Sequence, residues 1–140
     1  MIGKIDHIGI LVDDIDANRV LFEILGLEIS TVEYVPEFDV EIAFIRVGES
    51  LVELVEPVDE TTDLSADLDA TEWTSSLHHV AFRVDDLETK LSTLRSEGVL
   101  LADEHPRQGA GGSRVAFLDR RAANGVRVEL VERNSDIQFD

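Results

Sequence analysis

The feature that most constrains the fold is an internal repeat. The stretch KIDHIGILVDDID, beginning at Lys4, is echoed by SLHHVAFRVDDLE, beginning at Ser76. With His79 set on His7, a spacing of 72 residues, Val12 meets Val84, Asp13 and Asp14 meet Asp85 and Asp86, Ile15 meets Leu87, and Gly26 meets Gly98. The length suits one compact domain, and 44% hydrophobic residues are enough to fill its core. The 140 residues are therefore expected to form a single domain, with a first module over about 4–57, a linker over 58–75 and a second module over about 76–133.

Each module reads as βαβββ, an α+β unit. Ile5 to Val12 is a β-branched run that reads as a strand. Asp16 is expected to cap a helix through ANRVLFEIL, where Val20, Leu21, Ile24 and Leu25 recur at helical spacing and Gly26 closes the C-terminus. Strands follow over Leu27–Val35, Val40–Val47 and Leu51–Val55, separated by Pro36 and by the turn Gly48-Glu49. The second module repeats the order, with a strand over Leu77–Val84, a helix over Leu87–Glu97, and strands near Val99–Ala102, Arg114–Leu118 and Val126–Val131. The linker is acidic and rich in Ser and Thr, with a short helix expected around Leu64–Leu68, and Trp73 within it is expected to cap the core. RQGAGGS, from Arg107, suits a mobile loop or a close approach of backbone to ligand.

Alternation along a strand puts His7 on one face with Gly9 and Leu11, and His79 with Ala81 and Arg83. The small neighbour of each histidine leaves room for something else. Glu53 within LVELV and Glu129 within VRVELV have apolar residues on both sides. A carboxylate on a buried strand face must be paired, protonated or bound to a cation, because desolvating a bare charge costs several kcal/mol or more. Matching places in the two repeats therefore carry one imidazole and one carboxylate each. If the modules pack about a pseudo-two-fold axis, His7, Glu53, His79 and Glu129 converge into a site for a divalent ion such as cobalt, manganese, zinc or nickel. His78 has Asp6 as its counterpart and is expected to point to the opposite face, as a structural residue; His105, beside Pro106, reads as a loop residue.

Composition narrows the partners. Thirty acidic residues against 12 basic give a formal charge of −18, which repels nucleic acid and anionic membrane. The acid is dispersed among apolar positions, a pattern expected of a solvated surface adapted to concentrated salt. With no cysteine, any metal must be held by His, Asp, Glu or amide oxygen. No run of residues has the apolar length that spans a bilayer, and the N-terminus lacks a signal-peptide profile, so a cytoplasmic location is the default expectation. Arg107, Arg114 and Arg127 stand out in so acidic a chain, as contacts for a substrate anion or as ordinary ion pairs.

Paired βαβββ units with one His and one Glu from each resemble the vicinal-oxygen-chelate, or glyoxalase-like, superfamily. KIDHIGI, LGLE, VPE, VELVEP, LHHVAFRVDDLE, GAGGSRVAFL and NGVRVELVE together resemble its methylmalonyl-CoA epimerase family across most of the chain. The resemblance implies an incomplete barrel around a metal held by His7, Glu53, His79 and Glu129. It also implies an isomerase that interconverts (R)- and (S)-methylmalonyl-CoA by removing the α-proton, acting as a homodimer on an acyl-CoA substrate. Epimerisation calls for an acid/base on each face of the planar intermediate. The resemblance implies Glu129 as one, and a glutamate on the third strand as the other. Alternation is read as turning Glu41 inward beside Ala43, with Val40, Ile42 and Phe44 toward the helix, although some relatives carry that glutamate where this chain has Ile42. LDRRAANG, from Leu118, departs from the His-Pro-Lys stretch usual in that family, with Arg120 and Arg121 as electrostatic substitutes near the coenzyme A portion. Glyoxalase-type isomerisation, ring-cleaving dioxygenation and metal-free binding on the same scaffold are the rival readings.

Overall fold

A computed structural model describes residues 2–70, 72–135 and 137. In chain order the elements are β1 (Ile2–Val12), α1 (Ile15–Ile24), β2 (Glu28–Ile29), β3 (Glu33–Val35), β4 (Val40–Val47), β5 (Ser50–Pro57), α2 (Asp63–Asp69), β6 (Ser75–Val84), α3 (Leu87–Ser96), β7 (Arg107–Gln108), β8 (Arg114–Phe117) and β9 (Val128–Glu132). They form one mixed sheet in the order β2-β4-β5-β1-β6-β9-β8-β7, with β3 added beside β4. The first strands of the two modules, β1 and β6, pair antiparallel at the centre. Each then pairs in parallel with the last strand of its own module, β1 with β5 and β6 with β9. The sheet is thus an α+β half-barrel built from two copies of one unit, curled around a shared concave face.

The same local devices appear in both modules. Asp14 caps α1, accepting from the Asp16 and Ala17 amides, and its equivalent Asp86 caps α3, accepting from the Thr89 amide. The cap of α1 is therefore Asp14 and not Asp16, because the helix begins at Ile15 and its side-chain acceptor must precede it. Glu56 Oε1 accepts from the Ile15 amide at 2.8 Å, and Glu132 Oε1 accepts from the Leu87 amide at 2.8 Å. Each module's last strand thus ties down the first turn of its helix. Gly26 and Gly98 end the helices at φ +87° and +80°, a left-handed conformation that glycine adopts without steric cost.

Val12, Ile15, Ala43, Ile45 and Leu54 pack beneath α1, and Val84, Leu87, Leu91, Ala116 and Leu130 form the matching cluster beneath α3. The residues whose spacing marks the α1 helix lie outside this core: Val20, Leu21, Ile24 and Leu25 are all exposed. Phe22 and Leu27 fill the space beneath the helix instead, with Ile15 at its buried N-terminal end. Trp73 does not cap the core but is 77% exposed. The run expected as one strand over Leu27–Val35 is divided into β2 and β3, and Val99–Ala102 contributes only the isolated bridge Leu101–Leu118. The linker helix α2 forms where expected, capped by Thr62. No helix among the described residues is long and apolar enough to cross a membrane.

Candidate metal centre

The site lies where the two modules meet. Strands β5, β1, β6 and β9 are consecutive neighbours, so Glu53, His7, His79 and Glu129 are presented in that spatial order across the concave face. His7 pairs with Ala81 and His79 pairs with Gly9. The small residue on each central strand accordingly makes room for the histidine of the opposite module. At Gly9 the fit is absolute, since a Cβ built there would overlap the His79 ring.

One nitrogen each of His7 and His79 and one oxygen of Glu129 lie within 4.8 Å of one another, all three residues buried. His7 Nε2 is 3.0 Å from His79 Nε2 and 2.9 Å from Glu129 Oε1, and His79 Nε2 is 3.5 Å from the same oxygen. Glu53 Oε2 stands 3.4 Å from His7 Nε2 but outside the tight triad, and 3.8 Å from the Arg133 guanidinium. Glu129 Oε1 is fully buried and accepts no hydrogen bond, although His7 Nε2 lies 2.9 Å away. A buried carboxylate oxygen without a donor is costly. Two imidazoles and a carboxylate with such an unmatched oxygen fit a borderline divalent cation by donor type and charge.

The electrostatics of the site follow from this crowding. Burial by itself would lower the His7 pKa, but the Glu53 charge, the hydrogen bond to Asp6 and the Glu129 carboxylate outweigh it and raise it to about 10. Burial pushes Glu53 up to about 7, with the Glu129 charge adding to it and His7 and Arg133 opposing. His79 is driven well below the ordinary histidine range, first by burial and then by the charge on His7. His78 is held down at about 4, chiefly by burial and then by Arg127.

Behind His7 lies a group that the sequence reading did not single out. Asp6, fully buried, accepts from His7 Nδ1 at 2.7 Å. It also accepts from Arg133 through both oxygens, at 2.9 and 3.0 Å, and from Arg83 Nε at 2.9 Å. Burial tends to raise the Asp6 pKa, yet these hydrogen bonds hold it far below the usual carboxylate range. Arg133 donates in addition to the Ala110 carbonyl at 3.1 Å, joining the first strand, the glycine-rich loop and the end of the chain.

Two facings differ from expectation. In the β4–β5 hairpin Phe44 pairs with Glu53, Ile42 with Val55, and Glu41 with Glu56. Directly paired residues share a face. Val40 and Ile42 therefore line the cavity over the site, while Ala43 packs beneath α1. Glu41 lies on the helix side with Glu56, and the structure does not bring it to the cavity. The register was available from Gly48-Glu49 as a two-residue hairpin turn, which puts Phe44 opposite Glu53. The second correction is His78. It does not point away from His79; the two side chains are both buried and both line the cavity, because β6 carries a bulge there.

The cavity has a volume of about 560 Å³, within the range of small-molecule sites. Its walls are apolar, from Val35, Val40, Ile42 and Val55 on one side to Val115 and Phe117 on the other. Arg107, Arg120 and Arg127 also line it. Arg107 pairs with Glu37 and Asp103 and stacks 4.1 Å over Phe38, and Arg127 pairs with Asp67 at 3.1 Å. Arg114, by contrast, pairs with Glu88 and Glu132 away from the cavity, and Arg121 pairs with Asp119.

Residues 6–117 match the family model described as the Glyoxalase/Bleomycin resistance protein/Dioxygenase superfamily. The chain is 40% identical over 135 residues to the uncharacterized protein YqjC of Bacillus subtilis, covering 96% of this chain and 95% of that one. It is 30% identical over 132 residues to an ethylmalonyl-CoA/methylmalonyl-CoA epimerase of Cereibacter sphaeroides, covering 93% of this chain and 98% of the relative. Among solved structures, a variant of Streptomyces coelicolor methylmalonyl-CoA epimerase in complex with 2-nitronate-propionyl-CoA superposes with a TM-score of 0.89 at 30% identity, covering 96% of this chain and all of that one.

Proposed function

Because the chain belongs to the Glyoxalase/Bleomycin resistance protein/Dioxygenase superfamily, we propose that it interconverts the epimers of methylmalonyl-CoA by moving the proton between a thioester and a carboxylate. The observation that carries this reading is the buried triad of His7, His79 and Glu129, with an unmatched Glu129 oxygen, at the floor of a cavity of acyl-group size. His7, His79 and Glu129 would hold the divalent ion, with Glu53 adjacent as a fourth donor. When bound, the ion supplies a Lewis acid for the negative charge that develops on the substrate oxygens.

This chain's own residues supply the rest. Glu129 is the base for one face of the α-carbon. Glu53, from the opposite outer strand, is the carboxyl group available to the other face, since Glu41 lies on the helix side of the sheet. A proton taken by one carboxylate and returned by the other inverts the centre. The apolar walls exclude the water that would otherwise solvate both groups. Arg107 and Arg120 offer the cationic contacts for the coenzyme's phosphates in an otherwise acidic protein. The exposed stripe Val20, Leu21, Ile24 and Leu25 on α1 supports association as a homodimer.

A second reading is favoured by one observation, the apolar β4 wall of Val40 and Ile42. If Glu53 serves only as a ligand, a single base remains, and the site performs one-faced proton transfer of the glyoxalase type. The test follows the α-proton of single methylmalonyl-CoA epimers in deuterium oxide, with cobalt, manganese, zinc or nickel added and then chelated. Exchange with inversion, abolished by chelator, is expected. Exchange with retention selects the one-base reading. No exchange by a fully loaded protein overturns both for this substrate.

A further inference from the structure

We infer that His78 is a positioning residue for His79, doing for the second module's histidine what Asp6 does for the first, and that Asp67 on the linker helix completes the arrangement. The inference rests on reading His79 as a ligand through Nε2. Its warrant is a pair of matched bulges. In the β1–β6 ladder the register steps from Ile5–Phe82 to His7–Ala81, leaving Asp6 as the extra residue on β1. It steps again from Gly9–His79 to Ile10–Leu77, leaving His78 as the extra residue on β6. Asp6 and His78 occupy the same place in the repeat. Each bulge turns the residue before the histidine onto the histidine's own side.

The contacts match as well. Asp6 Oδ1 is 2.7 Å from His7 Nδ1, and His78 Nδ1 is 2.8 Å from His79 Nδ1. A carboxylate can only accept, so Asp6 leaves no choice of tautomer on His7. A histidine can do either, so the roles in the second module are read inward from the carboxylate at its far end. Asp67 Oδ2 can only accept and faces His78 Nε2 at 3.5 Å, so the hydrogen of the His78 ring sits on Nε2 and its Nδ1 is bare. His79 Nδ1, 2.8 Å from that bare nitrogen, is then the donor. Asp67 is itself held by Arg127 through its other oxygen. The chain of donors runs one way, from His79 through His78 to Asp67, and leaves His79 Nε2, aimed into the triad, as the ligand atom.

The linker thus has a task that the repeat does not explain. The first module meets the demand with a buried aspartate anchored by arginines, and the second imports its acceptor from α2.

Long-range 1H–15N NMR of the histidine rings, on the full chain stripped of metal, tests the tautomers directly. The expected result is hydrogen on Nδ1 of His79 and on Nε2 of His78; hydrogen on Nε2 of His79 overturns the inference. Cobalt titration then compares wild type with His78→Phe and His78→Asn. His78→Phe should weaken cobalt binding by about 10- to 100-fold and alter the visible absorption of the bound ion. The amide oxygen in His78→Asn can accept from Nδ1 and should recover most of the loss, which a purely space-filling role would not allow. Equal affinity of wild type and His78→Phe overturns the inference. Failure of wild type to take up cobalt defeats the metal reading instead, and the NMR result still decides the tautomers.

Discussion

The two modules share a plan but secure their histidines differently. In the first, His7 leans on a fully buried anion, Asp6, neutralised by Arg133 and Arg83. In the second, His79 leans on a neutral ring, His78, whose far nitrogen faces the half-exposed pair Asp67–Arg127. Duplication supplies the strand, the bulge and the ligand, while the groups behind the ligand are free to diverge. The first support also braces Arg133, just after β9, against β1; the second couples the site to the linker.

Breaking the proposed chemistry gives the largest effect. Glu129→Gln keeps the volume and removes the base, so deuterium exchange at the α-carbon should fall by about 10²–10⁴-fold, read by mass spectrometry with metal in excess. Wild-type exchange in this variant would move the base elsewhere.

Asp6→Ala strikes the first module's support. It leaves Arg133 buried without its main partner, and should cost about 3–5 kcal/mol in urea unfolding. The folded Asp6 pKa lies below that of an unfolded aspartate. Its contribution is therefore complete above about pH 4 and disappears only in stronger acid, as pH falls through the folded value. The equivalent change in the second module, His78→Phe, should leave stability much less affected. Equal losses would erase the contrast between the two supports.

Gly9→Ala sharpens the comparison at the crossing point of the modules. The added methyl occupies the His79 ring position, so the ring must move, with about 1–3 kcal/mol lost in stability and weaker cobalt binding. Ala81, opposite His7, already carries the methyl that Gly9 lacks. Smallest of all, Glu41→Gln should change stability by less than about 0.5 kcal/mol and leave exchange at the wild-type rate, because the side chain lies on the helix side. A large loss of exchange would return Glu41 to the mechanism.

Much of this was legible before folding. The repeat, the βαβββ order and the four candidates His7, Glu53, His79 and Glu129 follow from periodicity and from charge placed where burial is expected. Glu41 and His78 were misplaced for the same physical reason: alternation assigns faces only until register or a bulge intervenes. In β4 the register is set by the Gly48-Glu49 hairpin; in β6 the bulge at His78 resets the count. Arg133 and Asp67 carry no local signal, since neither has a repeat partner in the same role.

The sequence by itself determined that two like units would meet and that each would bring one imidazole and one carboxylate to the meeting. Only the tertiary structure decided which oxygen is left without a donor, that His78 meets His79 through their Nδ1 atoms, and that a linker aspartate stands behind His78. The reason is that patterning is a property of neighbours along the chain. Hydrogen-bond satisfaction among buried groups depends on distances between residues such as Asp6 and Arg133, 127 positions apart.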